Sequence, residues 1–120
     1  MKYQFDFTHL PDYVLISTGE FSVVEDFYKL LKDLLNSPRW QSGVPLLIDH
    51  RKLVDKQINS DDLQMIASIY EFHIERLGGA RCAVVVERQM LPESPGIARQ
   101  DSLRFFIDPA GARKWLAGNV

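Results

Sequence analysis

Alternation opens the chain. Tyr3, Phe5 and Phe7 alternate with Gln4, Asp6 and Thr8, the period-two pattern of a strand with one apolar and one wetted face. It predicts a half-buried outer strand. His9, Leu10, Pro11 and Asp12 then supply turn chemistry, because Pro11 fixes its own φ and Asp12 can bond nearby backbone. Tyr13 to Gly19 reads as a second strand, and so short a connection implies an antiparallel hairpin.

Helical spacing follows. Val23, Val24, Phe27, Tyr28, Leu30, Leu31, Leu34 and Leu35 form a broad apolar face, with Glu25, Asp26, Lys29, Lys32 and Asp33 on the other side. Ser22 and Glu25 have the spacing of a capping box, in which hydroxyl and carboxylate each satisfy the other residue's amide. Pro38 ends the helix by pushing Ser37 out of helical geometry, and Arg39 to Gly43 is a loop. Val44 to Ile48 is a short continuous apolar run, as expected of a strand covered on both faces in a parallel sheet. The rest of the chain is organised around this strand. Asp49, His50 and Arg51 emerge at its carboxyl end, where open α/β sheets place their ligand crevices.

After a polar loop, Lys52 to Asn59, the residues Ser60, Asp61 and Asp62 offer an N-cap and two first-turn carboxylates. The helix they open is predicted to run to Arg76 or Leu77 and to close on Gly78 and Gly79. Leu63, Ile66, Ala67, Tyr70, Ile74 and Leu77 make its inward face. Met65, Ile69 and Phe72 form a second stripe roughly opposite, each residue advancing about 100°. Ala80 to Glu87 is another buried strand, with Cys82 inside it. Arg88 to Gln100 contains Pro92, Pro95 and Gly96, which leaves room only for a short helix from Pro95 to Arg99. Leu103 to Ile107 is the last strand. Asp108 as N-cap and Pro109 at the first helical position then open a final helix, anchored to the sheet by Trp115 and Leu116. Five strands and about four helices alternate in this order, which predicts an α/β fold with a mixed, mainly parallel sheet, an N-terminal antiparallel hairpin and right-handed crossovers.

Composition narrows the function classes. At 120 residues, 46% hydrophobic and 25% charged, the chain suits one domain spanning 1–120. Fourteen Lys and Arg stand against sixteen Asp and Glu for a net charge of -2, with the basic residues scattered. That is no nucleic-acid footprint. No apolar run reaches the length of a membrane span, and the first residues lack the hydrophobic region of a signal peptide, so a cytoplasmic protein is expected. The single Cys82 excludes an internal disulfide. His9, His50 and His73 lack zinc-site spacing, so neither a structural metal nor a cofactor is expected.

Three motifs carry a resemblance: Leu47-Ile48-Asp49-His50-Arg51 at the end of the central strand, Arg81-Cys82-Ala83-Val84-Val85 at the next, and Phe106-Ile107-Asp108 followed by Ala112-Arg113-Lys114-Trp115-Leu116. With the element order, they make the chain resemble the STAS domain family of sulfate transporters and anti-sigma factor antagonists, and most closely its SpoIIAA-like branch of small single-domain proteins. The resemblance spans much of the chain from Leu47 onward. It implies a sheet of about five strands with helices largely on one face, and a non-enzymatic regulatory role in binding a protein partner or small ligand. In the antagonists, a serine opening the helix after the central strand is phosphorylated by a partner kinase, and Ser60 holds that place. A phosphate there would lie at a helix amino terminus. The family has a second serine and then glycine where this chain has Asp61, Asp62 and Leu63. Those carboxylates would repel a phosphate, so a plain N-cap is the better reading of Ser60. The loop from Lys52 to Asn59 also departs from the antagonist pattern.

The candidate ligand site comprises Asp49, His50 and Arg51, joined by Arg88 and Arg99 from later loops. Its arginines suit an anionic ligand. The structural alternative pairs Asp49 with Arg51, and it is favoured. His50 with Asp49 or Asp61 has the makings of a general base, but no nucleophile lies at matched spacing and Cys82 sits at the wrong end of its strand. The Met65, Ile69 and Phe72 stripe is either an interface, as of a homodimer, or is buried under Arg88 to Gln100. A carrier of a small apolar or anionic ligand is the runner-up function, with Met90, Leu91 and aromatic side chains around a pocket and an arginine at its mouth.

Overall fold

Five short strands lie side by side in chain order: β1 (Tyr3–Asp6), β2 (Val14–Thr18), β3 (Leu46–Asp49), β4 (Cys82–Val85) and β5 (Leu103–Phe106). β1 pairs with β2 antiparallel, and each later pair is parallel. The computed structural model describes residues 3–19, 24–52, 60–88 and 102–118, apart from the side chains of Ser60 and Leu63. Three helices are counted among them, α1 (Glu25–Leu35), α2 (Ser60–His73) and α3 (Pro109–Leu116), where about four were expected. The short helix placed at Pro95 to Arg99 lies outside the described residues.

The strand order fixes which face the crossover helices cover. A sheet that adds every new parallel strand on the same side, through crossovers of one hand, puts its crossover helices on one face. α1 and α2 obey this. Phe27, Leu30, Leu31 and Leu34 of α1 and Ile66 and Tyr70 of α2 bury against Val14, Ile16, Leu46, Ile48, Cys82, Val84, Leu103 and Phe105. Their partners are alternate strand residues, as the pleat requires. α3 follows the last strand and is no crossover, so the rule does not bind it. Ala112, Trp115 and Leu116 instead cover Leu47, Ala83 and Val85 on the opposite face. The expectation was of helices largely on one face: α1 and α2 share a face, and α3 lies on the other.

α3 begins as the sequence predicts. Asp108 has extended backbone geometry, its carboxylate accepts from the Ala110 amide at 3.1 Å, and Pro109 takes the first turn. Two guanidinium groups, of Arg81 and Arg104, each lie over Trp115 at 5.1 Å from its ring centre. Arg81 Nη1 also donates to the Trp115 carbonyl at 2.6 Å, so ring and backbone of the helix are both tied to the sheet.

α1 departs from expectation. Its N-cap is Val24, which supplies no side-chain bond, so Glu25 occupies the first helical position rather than the third that a capping box needs. Ser22 lies outside the described residues. Glu25 and Asp26 in the first turn compensate electrostatically, because a helix amino terminus favours negative charge. α2 stops at His73, short of the predicted end, and the chain leaves through turns with bonds from Leu77 to His73, Gly78 to Glu75 and Gly79 to Ile74. Gly78 (φ +67°) meets the loop before β3 closely: a Cβ there would lie 2.1 Å from Ser42 Oγ and 2.8 Å from the Gly43 nitrogen. The Gly43 amide donates to the Leu77 carbonyl at 3.0 Å, which joins the two loops. At the sheet edge the Tyr3 hydroxyl donates to Asp33, holding β1 to α1.

Candidate functional site

The described residues cover only part of the sheet face that carries α3. Alternation places Tyr13 and Leu15, Leu47 and Asp49, and Val85 on this face, in parallel register across β2, β3 and β4. α3 lies over β3, β4 and β5, and the other described residues leave the strip above β2 and the adjoining side of β3 open. There a cleft of about 210 Å³ forms. Its floor is Leu15, Leu47 and Val85; one wall is His9 and Tyr13 from the β1–β2 turn; the other is Pro109 and Arg113 from α3. Asp49 and Arg51 close the end at the carboxyl termini of the strands.

The charges in the cleft are unequally matched. Arg51 grips Asp49 along one edge of its guanidinium, Nε to Oδ1 at 3.0 Å and Nη2 to Oδ2 at 2.9 Å, and its amide adds a third bond to Oδ1 at 3.0 Å. These bonds hold the Asp49 carboxyl below the usual carboxylate range, with the side-chain bond from Arg51 the largest cause. The same bond raises the Arg51 guanidinium, and the nearby Glu87 carboxylate adds to the effect. Arg51 is therefore committed to its own chain. Arg113 is exposed, and its side chain has no hydrogen bond or ion pair with a described residue. On the opposite wall the imidazole of His9 stacks on the Tyr13 ring, with centres 4.8 Å apart and planes at 16°. Asp6, bonded by the hydroxyl and amide of Thr8, lies 3.9 Å from His9.

His50 does not join them. One residue beyond Asp49, it turns to the opposite face and is only 2% exposed. Its Nδ1 lies 2.8 Å from Thr18 Oγ1, and that hydroxyl donates to the Asp49 carbonyl at 3.0 Å. With the hydroxyl proton used there, Nδ1 is the donor to Thr18. Burial pushes the imidazole down to about 4 from its ordinary 6.5, against a smaller opposing pull from Asp49.

Of the five ligand candidates read from the sequence, Asp49 and Arg51 line the cleft, paired as the structural alternative had it. His50 is buried and does not line it, and Arg88 is exposed and is not among the cleft residues. Arg99, Met90 and Leu91 lie outside the described residues. Sequence reasoning missed His9, Tyr13, Pro109 and Arg113. One local signal was available: Pro109 and Arg113 are four apart and share a face of α3.

The second apolar stripe of α2 splits. Phe72 is 79% exposed and Met65 53%, whereas Ile69 is half-buried against the core. Tyr28 of α1, 43% exposed, stands near Phe72, since both rings meet His73 edge-on. Ser60 opens α2, and its side chain lies outside the described residues. Among the described residues no three potential metal ligands cluster, and no helix is long and apolar enough to cross a membrane. Comparison with known proteins found no matching family model, no matching curated protein and no matching solved structure.

Proposed function

We propose that this chain is a small non-enzymatic binding module, of the kind its STAS-like motifs imply, and that it holds a small anionic ligand in the cleft between α3 and the β1–β2 turn. The carrying observation is the contrast between two arginines on one cavity: Arg51 is neutralised by Asp49, while Arg113 faces the same space with its charge unmet by any described residue. An apolar floor with a few convergent polar groups is the usual make-up of a ligand site. Binding rather than turnover is supported by His50, the general base suggested by the sequence, which is enclosed and engaged with Thr18 on the far face. Native mass spectrometry of gently purified protein tests this reading. The expected spectrum carries a small organic adduct that Arg113→Gln releases; an adduct that Arg113→Gln retains places the ligand elsewhere.

A separate observation favours a second, protein-binding reading. Phe72, Met65 and Tyr28 expose apolar surface on the outer side of the α1/α2 layer, where such a patch suits an interface with a second copy. Phosphorylation of Ser60, at the start of the same helix, belongs to this reading. The same spectrum reports subunit number and phosphate mass.

A further inference from the structure

The cleft's chemistry narrows its ligand beyond "anionic". We infer that it selects an aromatic monocarboxylate, with the carboxylate on Arg113 and the ring between the aliphatic floor and the Tyr13 wall; this rests on the cleft being the ligand site. Charge comes first. Among the described lining residues, two arginines against one aspartate leave a single positive charge, on a chain whose net charge is -2. One guanidinium unmet by any described residue matches one carboxylate, and its planar fork can hold both oxygens. A phosphate dianion would bring a second charge to an apolar floor with Asp49 at its end, where desolvation and repulsion both oppose it.

Shape and surface come next. About 210 Å³ is below the roughly 300–1,000 Å³ of sites for drug-sized ligands, so the ligand is of single-ring size. Leu15, Leu47 and Val85 offer a dry floor, and the His9–Tyr13 stack offers an aromatic wall. A ring gains offset or edge contacts with such a wall beyond the area it buries. A saturated ring of the same size does not.

The test is a chemical-shift titration of backbone amides with four probes: benzoate, cyclohexanecarboxylate, benzyl alcohol and inorganic phosphate. Benzoate is expected to shift the amides of Leu15, Leu47 and Arg113 with a dissociation constant on the order of millimolar or tighter. Cyclohexanecarboxylate is expected to bind roughly 3- to 10-fold more weakly. Benzyl alcohol should bind at least about 10-fold more weakly, as should benzoate to Arg113→Gln, a change at an exposed helical position. Phosphate or benzyl alcohol matching benzoate at these amides overturns the ligand class and leaves the cleft as a site. Silence of the cleft amides to all four probes overturns site and class together.

Discussion

Asp49 and Arg51, two residues apart at the end of β3, close a three-bond ring in which one carboxylate takes up both the side chain and the amide of the same arginine. The pair sets the charge of the cleft as much as Arg113 does. Asp49→Asn would free Arg51 and raise the cleft from one net positive charge to two. Anion binding should tighten several-fold in this variant. The cost in stability should stay within about 1 kcal/mol, since the pair is partly exposed to water. Benzoate titration and urea unfolding of the variant check the two halves. Weaker anion binding in Asp49→Asn would mean that Asp49 positions Arg51 for the ligand instead of competing with it.

His50 makes stability depend on pH. The unfolded chain takes up this proton near pH 6.5 and the folded chain only near 4. Its stabilising contribution is therefore complete above pH 6.5 and falls as pH drops toward 4, by about 3 kcal/mol in all and about 2 kcal/mol between pH 7 and 5. His50→Gln keeps an amide donor for Thr18 and removes the titration. Urea unfolding at the two pH values should show a correspondingly smaller difference in this variant, and an unchanged difference would assign the acid sensitivity to another group.

Two adjacent glycines should respond unequally to alanine. Gly78 and Gly79 both have positive φ, but a Cβ at Gly79 meets nothing within 4 Å, while one at Gly78 runs into Ser42 and Gly43. Gly79→Ala should cost about 1 kcal/mol from backbone strain alone. Gly78→Ala should cost more than about 2 kcal/mol, because the loop before β3 has to move. Thermal unfolding of both variants makes the comparison, and equal losses would show that the loop yields freely.

Phe72 offers a test of the outer helical surface. With 79% of the residue exposed, Phe72→Glu should change monomer stability by no more than about 0.5 kcal/mol. If the wild type sediments as a dimer, the variant should sediment as a monomer. A persisting dimer would remove this surface as the interface.

Much of the sheet was legible because buried strands are written as continuous apolar runs. Cys82 to Val85 falls inside its predicted segment, Leu46 to Asp49 overlaps the predicted Val44 to Ile48 and runs one residue past it, and Asp108 with Pro109 marks the α3 start to the residue. The capping box misled because Ser22 and Glu25 satisfy a spacing, whereas α1 starts where acidic side chains can meet its amino terminus. The side taken by α3 was not legible, since α3 follows the last strand and the crossover rule that places α1 and α2 leaves its face open. The cleft was half legible. Asp49 and Arg51 announce themselves as charges at a strand end, but Tyr13 and Leu15 reach them only through the register of β2 on β3, and Arg113 only through the face that α3 chose.

Trp115 and Arg113 sit on one short helix, the first sealing the second core and the second reaching the cleft. Whatever occupies the cleft thus bears on how firmly the C-terminal helix is docked. By mass action, a ligand at a hundred times its dissociation constant would deepen the opening free energy of α3 by about 2.7 kcal/mol, provided it binds only the docked form. Amide deuterium exchange along Ala112 to Ala117 would slow in step with occupancy, turning the tail of the chain into a gauge of what the cleft holds.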